Sequence, residues 1–295
     1  MKIFVIGTVA FSERVLQHLL ENLRADVVGV ATKEASAFNA DFVSLAPLSA
    51  THGVPCRFVK DINAPEILDW IRSLAPDVVL CVGWSSLIKT ELLHLAPLGV
   101  VGYHPAALPR NRGRHPIIWA LVLGLTETAS TFFFMDEGAD SGDILSQQTV
   151  AISPADDAAS LYEKLTLAAL DQISTFVPAL AAGTYQRQPQ DHTNANTWRK
   201  RGRADGRLDF RMTSQALHNL VRGLTRPYVG AHVEVASQDV KVWQAASAAD
   251  DRAHLEPGQV LAHLPNGAFR VKTSDGALDL LEHEFSPLPG VGTYL

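Results

Sequence analysis

The sequence predicts an α/β fold: a mostly parallel, Rossmann-like sheet with helices on both faces, followed by a small C-terminal β-rich, barrel-like domain. Three observations carry this. The first half of the 295 residues alternates strand-length runs rich in Val and Ile with segments of helical period, the pattern of a parallel sheet. A polar stretch over 186–204, with Pro189 inside a run of Gln, Asp, Asn and Thr, reads as a linker. Beyond it comes one helical segment and then short apolar runs cut by Gly, Pro and Asn turns.

Taken in order, Lys2–Gly7, Asp26–Thr32, Val54–Phe58, Asp77–Val82 and Gly99–Tyr103 read as strands. Phe11–Asn22, Ala64–Leu74 and Pro116–Leu123 repeat apolar residues at spacings of three and four and read as helices. Ala129–Met135 and Ile144–Val150 form a strand pair around an acidic loop. A long helix follows, with Ser153 as its N-cap, Pro154 at its first position, and Leu161, Leu165, Ala168, Ala169 and Ile173 on one face; it should end near Gly183. Ser214–Leu224 is the helix of the last domain, and Pro257-Gly258, Pro265-Asn266-Gly267 and Ser274-Asp275-Gly276 are its turns. The expected domains are therefore 1–185, the linker 186–204, and 205–295.

With 47% hydrophobic and 19% charged residues, the chain is long enough for two cores. Apolar runs such as 77–83 are strand-length, short of the roughly 20 residues of a bilayer span, so no membrane segment is expected. The N-terminus carries one lysine and turns polar at Ser12-Glu13-Arg14, which reads as a first strand rather than a signal peptide and implies a cytoplasmic protein. Cys56 and Cys81 are too few for a disulfide framework or a zinc site. The net charge is −6, and 205–295 holds eight Lys/Arg against eleven Asp/Glu, the wrong balance for a phosphate-binding face. A nucleic-acid partner is not expected. Gly7 is followed by no G-x-G-x-x-G, so a dinucleotide site is not supported.

Chemistry concentrates in two loops. Val100-Val101-Gly102-Tyr103-His104-Pro105 closes a strand and runs on through Leu108-Pro109 to Asn111-Arg112-Gly113. Met135-Asp136-Glu137-Gly138-Ala139-Asp140-Ser141-Gly142-Asp143 closes another. An imidazole and a carboxylate delivered to one sheet edge by separate loops are equipment for moving a proton in acyl transfer. Calcium is not indicated, because the acidic loop lacks the D-x-[DN]-x-[DN]-G spacing. Arg112 with Gly113 reads either as a phosphate anchor or as a surface arginine beside a flexible loop.

The motif H-P-x-x-L-P-x-x-R-G-x-x-P, followed about twenty residues later by M-D-x-G-x-D-S-G-D, resembles the folate-dependent formyltransferases. That family acts on glycinamide ribonucleotide, methionyl-tRNA or amino sugars. The likeness extends into Trp198-Arg199-Lys200-Arg201, 205–210 and Asn219–Ala231, as in the two-domain members. By resemblance the donor is 10-formyltetrahydrofolate and no metal takes part; the family's two-domain sugar enzymes are commonly dimers, which makes a homodimer the expectation. The resemblance makes His104 and Asp140 catalytic. It places the folate against Met135, Glu137, Gly138, Ala139 and Ser141 and against Trp84, Ser86, Leu87 and Ile88. Trp84 reads equally well as a core aromatic. Pro105, Asn111, Arg112, Gly113 and His115 are the candidates for holding the substrate.

One position departs from the family pattern. An Asn normally stands two residues before the histidine, where it is taken to hold the formyl oxygen, and this chain has Gly102. Losing such a donor costs on the order of 10²–10³ in rate unless another replaces it. Asn111 and His115 are the nearby candidates. With two domains and an acidic balance, the resemblance points to formyl transfer onto a nucleotide-linked amino-deoxy sugar of the kind used in surface polysaccharides. Two alternatives stay open: a methionyl-tRNA formyltransferase, and a folate-binding or folate-hydrolysing homologue without transfer.

Overall fold

Seven strands form the main sheet of the computed structural model, which describes residues 1–36 and 40–295. They are β1 (Lys2–Ile6), β2 (Asp26–Thr32), β3 (Cys56–Phe58), β4 (Val78–Cys81), β5 (Val100–His104), β7 (Glu127–Phe134) and β8 (Ile144–Ala151), in the spatial order β3-β2-β1-β4-β5-β7-β8. The first five run parallel, and β7 turns antiparallel against β5, with Gly102 opposite Phe133 and His104 opposite Thr131. Ile3 through Ile6 are wholly buried, as a central parallel strand covered on both faces requires. β3 begins at Cys56 rather than Val54, because Pro55 has no N–H to give the ladder.

The covering helices are α1 (Ala10–Gln17), α2 (Ala46–Thr51), α3 (Pro65–Leu74) and α4 (Thr90–Leu93). The predicted helix 11–22 is α1 continued by a wider turn over His18–Asn22. α3 starts on Pro65 and stops at Ala75, whose φ of 46° is left-handed.

The long helix α6 (Ala158–Ala182) starts four residues after the expected Pro154. Its cap is Asp157, whose carboxylate takes the Ser160 N–H at 2.9 Å while Ser160 Oγ accepts the Asp157 N–H at 3.0 Å. Ser153 is instead held by Asp156, at 2.6 Å from its N–H. The predicted stripe Leu161, Leu165, Ala168, Ala169, Ile173 is buried. Contrary to the expectation from apolar runs, α6 is long and apolar enough to cross a bilayer by length and composition. Gln172 bonds Ser130 O at 3.2 Å and Ser146 Oγ at 2.8 Å, and Phe176 packs 4.8 Å from Phe132, which marks it as a core helix of the sheet.

The chain divides into two compact units, Met1–Gly113 with Thr128–Val150 and Glu163–Trp198, and Arg114–Glu127 with Ala151–Tyr162 and Arg199–Leu295. The break between Trp198 and Arg199 falls inside the expected linker 186–204, while 114–127 and 151–162 group with the second unit. The physical reason is α5 (Pro116–Val122), which packs on α7 (Ser214–Leu224). A Cβ on Gly223 would stand 3.2 Å from Val122 and 3.3 Å from Leu121, so the small residue lets the two helices close. α7 has the predicted bounds and is capped by Thr213, whose Oγ1 accepts the Ala216 N–H at 3.2 Å. Its buried face, Leu217, Leu220, Val221 and Leu224, covers a five-stranded antiparallel sheet. The strands are β10 (Ala231–Val235), β11 (Gln238–Ala248), β12 (Val260–His263), β13 (Phe269–Lys272) and β14 (Ala277–His283), ordered β10-β11-β14-β13-β12.

Within this second unit Arg252 hydrogen-bonds the Asp250 carboxylate and holds its pKa at about 2, well below the ordinary 3.8. A depressed carboxylate contributes stability above its unfolded pKa and loses it as pH falls through the folded one. The unfolding midpoint should therefore drop between about pH 4 and pH 2, more steeply in the wild type than in Asp250→Asn. Parallel curves for the two proteins in pH-dependent thermal melts would remove Asp250 from this role.

Candidate active site

His104 is the last residue of β5 and is 5% exposed. Its Nε2 lies 2.8 Å from the main-chain oxygen of Asn111. A carbonyl can only accept, so this geometry assigns the ring proton to Nε2. In the neutral tautomer so fixed, the lone pair is on Nδ1, and Nδ1 faces Asp140 Oδ2 at 3.7 Å. That separation is too long for a hydrogen bond but suits a pair that tightens when a proton arrives.

Asp140 is held from the other loop. The Gly113 N–H donates to Asp140 Oδ2 at 2.8 Å. Gly113 belongs to β6 (Arg112–Gly113), a short strand paired in parallel with β9 (Thr197–Trp198). Its φ of +101° and a hypothetical Cβ only 2.3 Å from the Trp198 oxygen leave no room for any other residue. Asn111 and Asp140 themselves sit at φ of 64° and 55°, so both loops carry left-handed backbone beside the imidazole.

The other residues expected to meet the substrate have protein partners of their own. Arg112 is only 9% exposed, and its guanidinium turns inward to Gln190 Oε1 at 2.6 Å and His192 Nδ1 at 3.1 Å, so it does not present the surface cation that a phosphate anchor would. Pairing with β9 explains this: the ladder draws Arg112 under the loop. The Asn111 N–H is taken by Asn196 Oδ1 at 2.9 Å. The Pro105 carbonyl accepts from Thr128 Oγ1 at 3.3 Å. His115 belongs to the second unit, where burial first, and then the charges of Arg114, Arg201 and Lys200, push its pKa down.

In the acidic loop Asp136 Oδ1 takes the Gly138 N–H at 3.0 Å and the Ser141 hydroxyl at 2.7 Å, while Glu137 accepts from Thr90 at 2.7 Å. Ala139 is exposed. Across the sheet edge Trp84 and Met135 pack against one apolar cluster, in which Ile88 is buried. The Trp84 indole N–H is buried with no partner, and Lys33 lies 4.9 Å from the ring. Ser86 and Leu87 are exposed, Leu87 to 72%. This border combines an aromatic ring with an unmet donor and an apolar wall, which suits a flat heteroaromatic ligand with polar edges.

Gly102 is paired on both sides, with Cys81 of β4 and Phe133 of β7, so its backbone belongs to the sheet rather than to the site. The volume a side chain would take there is already filled, since a Cβ would stand 2.8 Å from Met135 Cγ and 3.1 Å from its sulfur and from Phe133. Gln190 and Asn196, which join the loops, were missed by the sequence reading. Both sit in a polar run without period, and no sequence signal separates them from solvated neighbours.

Gly102→Asn should overpack the site and destabilise the protein by about 1–3 kcal/mol. Met135→Ala should relieve most of that cost in a double-mutant cycle read by urea unfolding. Equal losses in both backgrounds would show that Met135 is not what fills the space.

Comparison with solved structures finds the same fold. WlaRD, a sugar 3N-formyl transferase solved with dTDP and 5-N-formyl-THF, is 18% identical with a TM-score of 0.71, over 96% of this chain and 97% of that one. An N-formyltransferase from Helicobacter canadensis, solved with folinic acid and dTDP-3-aminofucose, is 15% identical with a TM-score of 0.71, over 96% and 99%. Methionyl-tRNA formyltransferase from Clostridium thermocellum is 17% identical with a TM-score of 0.60, over 83% and 93%. Residues 1–176 match the formyl transferase family model, and residues 201–287 match that of the formyl transferase C-terminal domain. Matched to the family model over more than half of its length, the chain belongs to the formyl transferase family.

Proposed function

We propose that the protein transfers a formyl group from 10-formyltetrahydrofolate to the amino group of a nucleotide-linked amino-deoxy sugar. The observation that carries the reading is His104, whose Nε2 is committed to Asn111 and whose Nδ1 alone faces Asp140. The folate is supported by the border of Trp84, Leu87, Ile88 and Met135, with its unmet indole N–H and apolar wall. The sugar is supported by the solved relatives, which hold dTDP or a dTDP-amino sugar, and by the acidic balance of 205–295, which disfavours tRNA.

When bound, the folate supplies the formyl carbon and departs with a proton on the nitrogen that carried it. His104 Nδ1 accepts the proton that the attacking amine loses, and the Asp140 carboxylate stabilises the imidazolium so formed. Gly113 keeps that carboxylate in place through its N–H. Near-complete burial of His104 keeps water from competing for Nδ1. The protonated Nδ1 can then serve the departing nitrogen, which returns the ring to its starting tautomer.

A second reading, a folate-binding homologue that transfers slowly or not at all, is favoured by Gly102 and by Met135 filling the place of the missing amide. Mass spectrometry of the pure protein with 10-formyltetrahydrofolate and a panel of nucleotide-linked amino sugars separates the readings. A product heavier by one formyl group is expected, reduced on the order of 10²–10⁴-fold in His104→Ala and in Asp140→Ala. Folate binding without product would establish the second reading, and product only with initiator methionyl-tRNA would replace the sugar.

A further inference from the structure

We propose that Gln190 is a positioning residue for Asp140, the middle of a brace that runs from the buried Arg112 guanidinium through the Gln190 amide to the main chain on either side of Ser141. Gln190 is 6% exposed, although its neighbours Gln188 and Asp191 are exposed. Its Oε1 accepts from Arg112 at 2.6 Å, and its Nε2 donates to Asp140 O at 2.9 Å and to Gly142 O at 2.6 Å. The orientation of the amide is fixed by chemistry. A guanidinium only donates, so the oxygen must face it, and the two N–H groups then face two carbonyls that only accept.

The charge explains why arginine stands there. Arg112 is buried, and its guanidinium is met by Gln190 Oε1 and His192 Nδ1 rather than by a carboxylate among the described residues, a costly state for a charge. A charged donor makes a bond roughly twice as strong as a neutral one and polarises the amide beyond it, strengthening both N–H donors. Those donors hold a segment that does not rest there by itself. Asp140 is a non-glycine residue at φ 55°, in the left-handed region that L side chains rarely adopt, and Gly142 is pressed so close that a Cβ would stand 1.8 Å from Phe134 O.

The brace closes on itself. Arg112 and Gly113 are adjacent, and while the Arg112 side chain reaches Asp140 through Gln190, the Gly113 N–H holds the Asp140 carboxylate directly. The main chain and the side chain of Asp140 are thereby fixed from one two-residue strand, and its carboxylate is aimed at His104 Nδ1. Gln190 touches neither the imidazole nor the carboxylate, so its effect passes through Asp140.

The decisive readout is the Gly113 amide resonance in NMR, which reports its bond to the Asp140 carboxylate without any turnover. Asp140→Ala sets the position of the broken bond. Gln190→Leu should move the Gly113 amide toward that position and speed its exchange, while the amides of β1 stay unchanged. Gln190→Asn, the milder change, should give a smaller move in the same direction. A Gly113 amide at its wild-type position and exchange rate in folded Gln190→Leu or Gln190→Asn overturns the proposal. For catalysis the inference rests on the formyl-transfer reading: kcat should fall on the order of 10- to 100-fold with KM within about twofold. An inactive wild type would defeat that reading while the amide readout still decides on the brace, and a rise in KM with kcat unchanged would overturn the positioning role.

Discussion

The site depends on a single main-chain hydrogen bond, from the Gly113 N–H to Asp140 Oδ2. Asp140 and His104 arrive on different strands, and 3.7 Å between Nδ1 and Oδ2 is not a bond that could join them. The loop carrying Gly113 supplies the joint on both sides, since Asn111, two residues earlier, gives its carbonyl to His104 Nε2. One short segment therefore sets the tautomer of the base and the position of the carboxylate. The requirement for glycine follows, because the same segment must pair with Thr197–Trp198 at a distance that admits no Cβ.

The parallel sheet and the closeness of the two candidate loops were legible because each rests on a local pattern. Runs such as Val78–Cys81 are apolar on both faces, and His104 and Asp140 stand beside strand ends marked by Pro105 and Gly142. The cap of α6 was misplaced because Ser153-Pro154 and Asp157-Ser160 are both plausible starts, and only the packing shows that Asp156 has already claimed Ser153. The grouping of 114–127 with the second unit was not legible either, since the contact of Gly223 with α5 joins residues about a hundred positions apart, and no periodicity encodes it. Gln190 illustrates the same limit: buried polar residues are fixed by partners far along the chain, and a polar run offers no sign of which one turns inward.

Gly102 changes the division of labour among the residues that remain. In the proposed reaction the formyl oxygen gains negative charge, and the position that would hold it in the family pattern has neither a side chain nor a free main-chain group. Met135 makes this a property of the packing as well as of the sequence, because its thioether closes the space. A sulfur and an aromatic edge stabilise an oxyanion poorly compared with an amide. The remaining ring atom able to donate is His104 Nδ1 once protonated, since Nε2 is spent on Asn111.

That assignment sets the order of events in the proposed reaction. Nδ1 cannot accept the amine proton and donate to the oxyanion at the same moment, so it can serve the oxygen only in the interval between taking the amine proton and passing it to the departing nitrogen. Such timing works only if the imidazolium is favoured as soon as it forms. Asp140 does this by its charge, provided that the carboxylate does not swing away to solvent. The latch at Gly113 and the brace through Gln190 both act against that swing, one on the side chain and one on the main chain. A site that has given up its amide donor thus has more to gain from a rigidly held carboxylate than one that keeps it, which is the physical sense of a buried arginine spent on a glutamine.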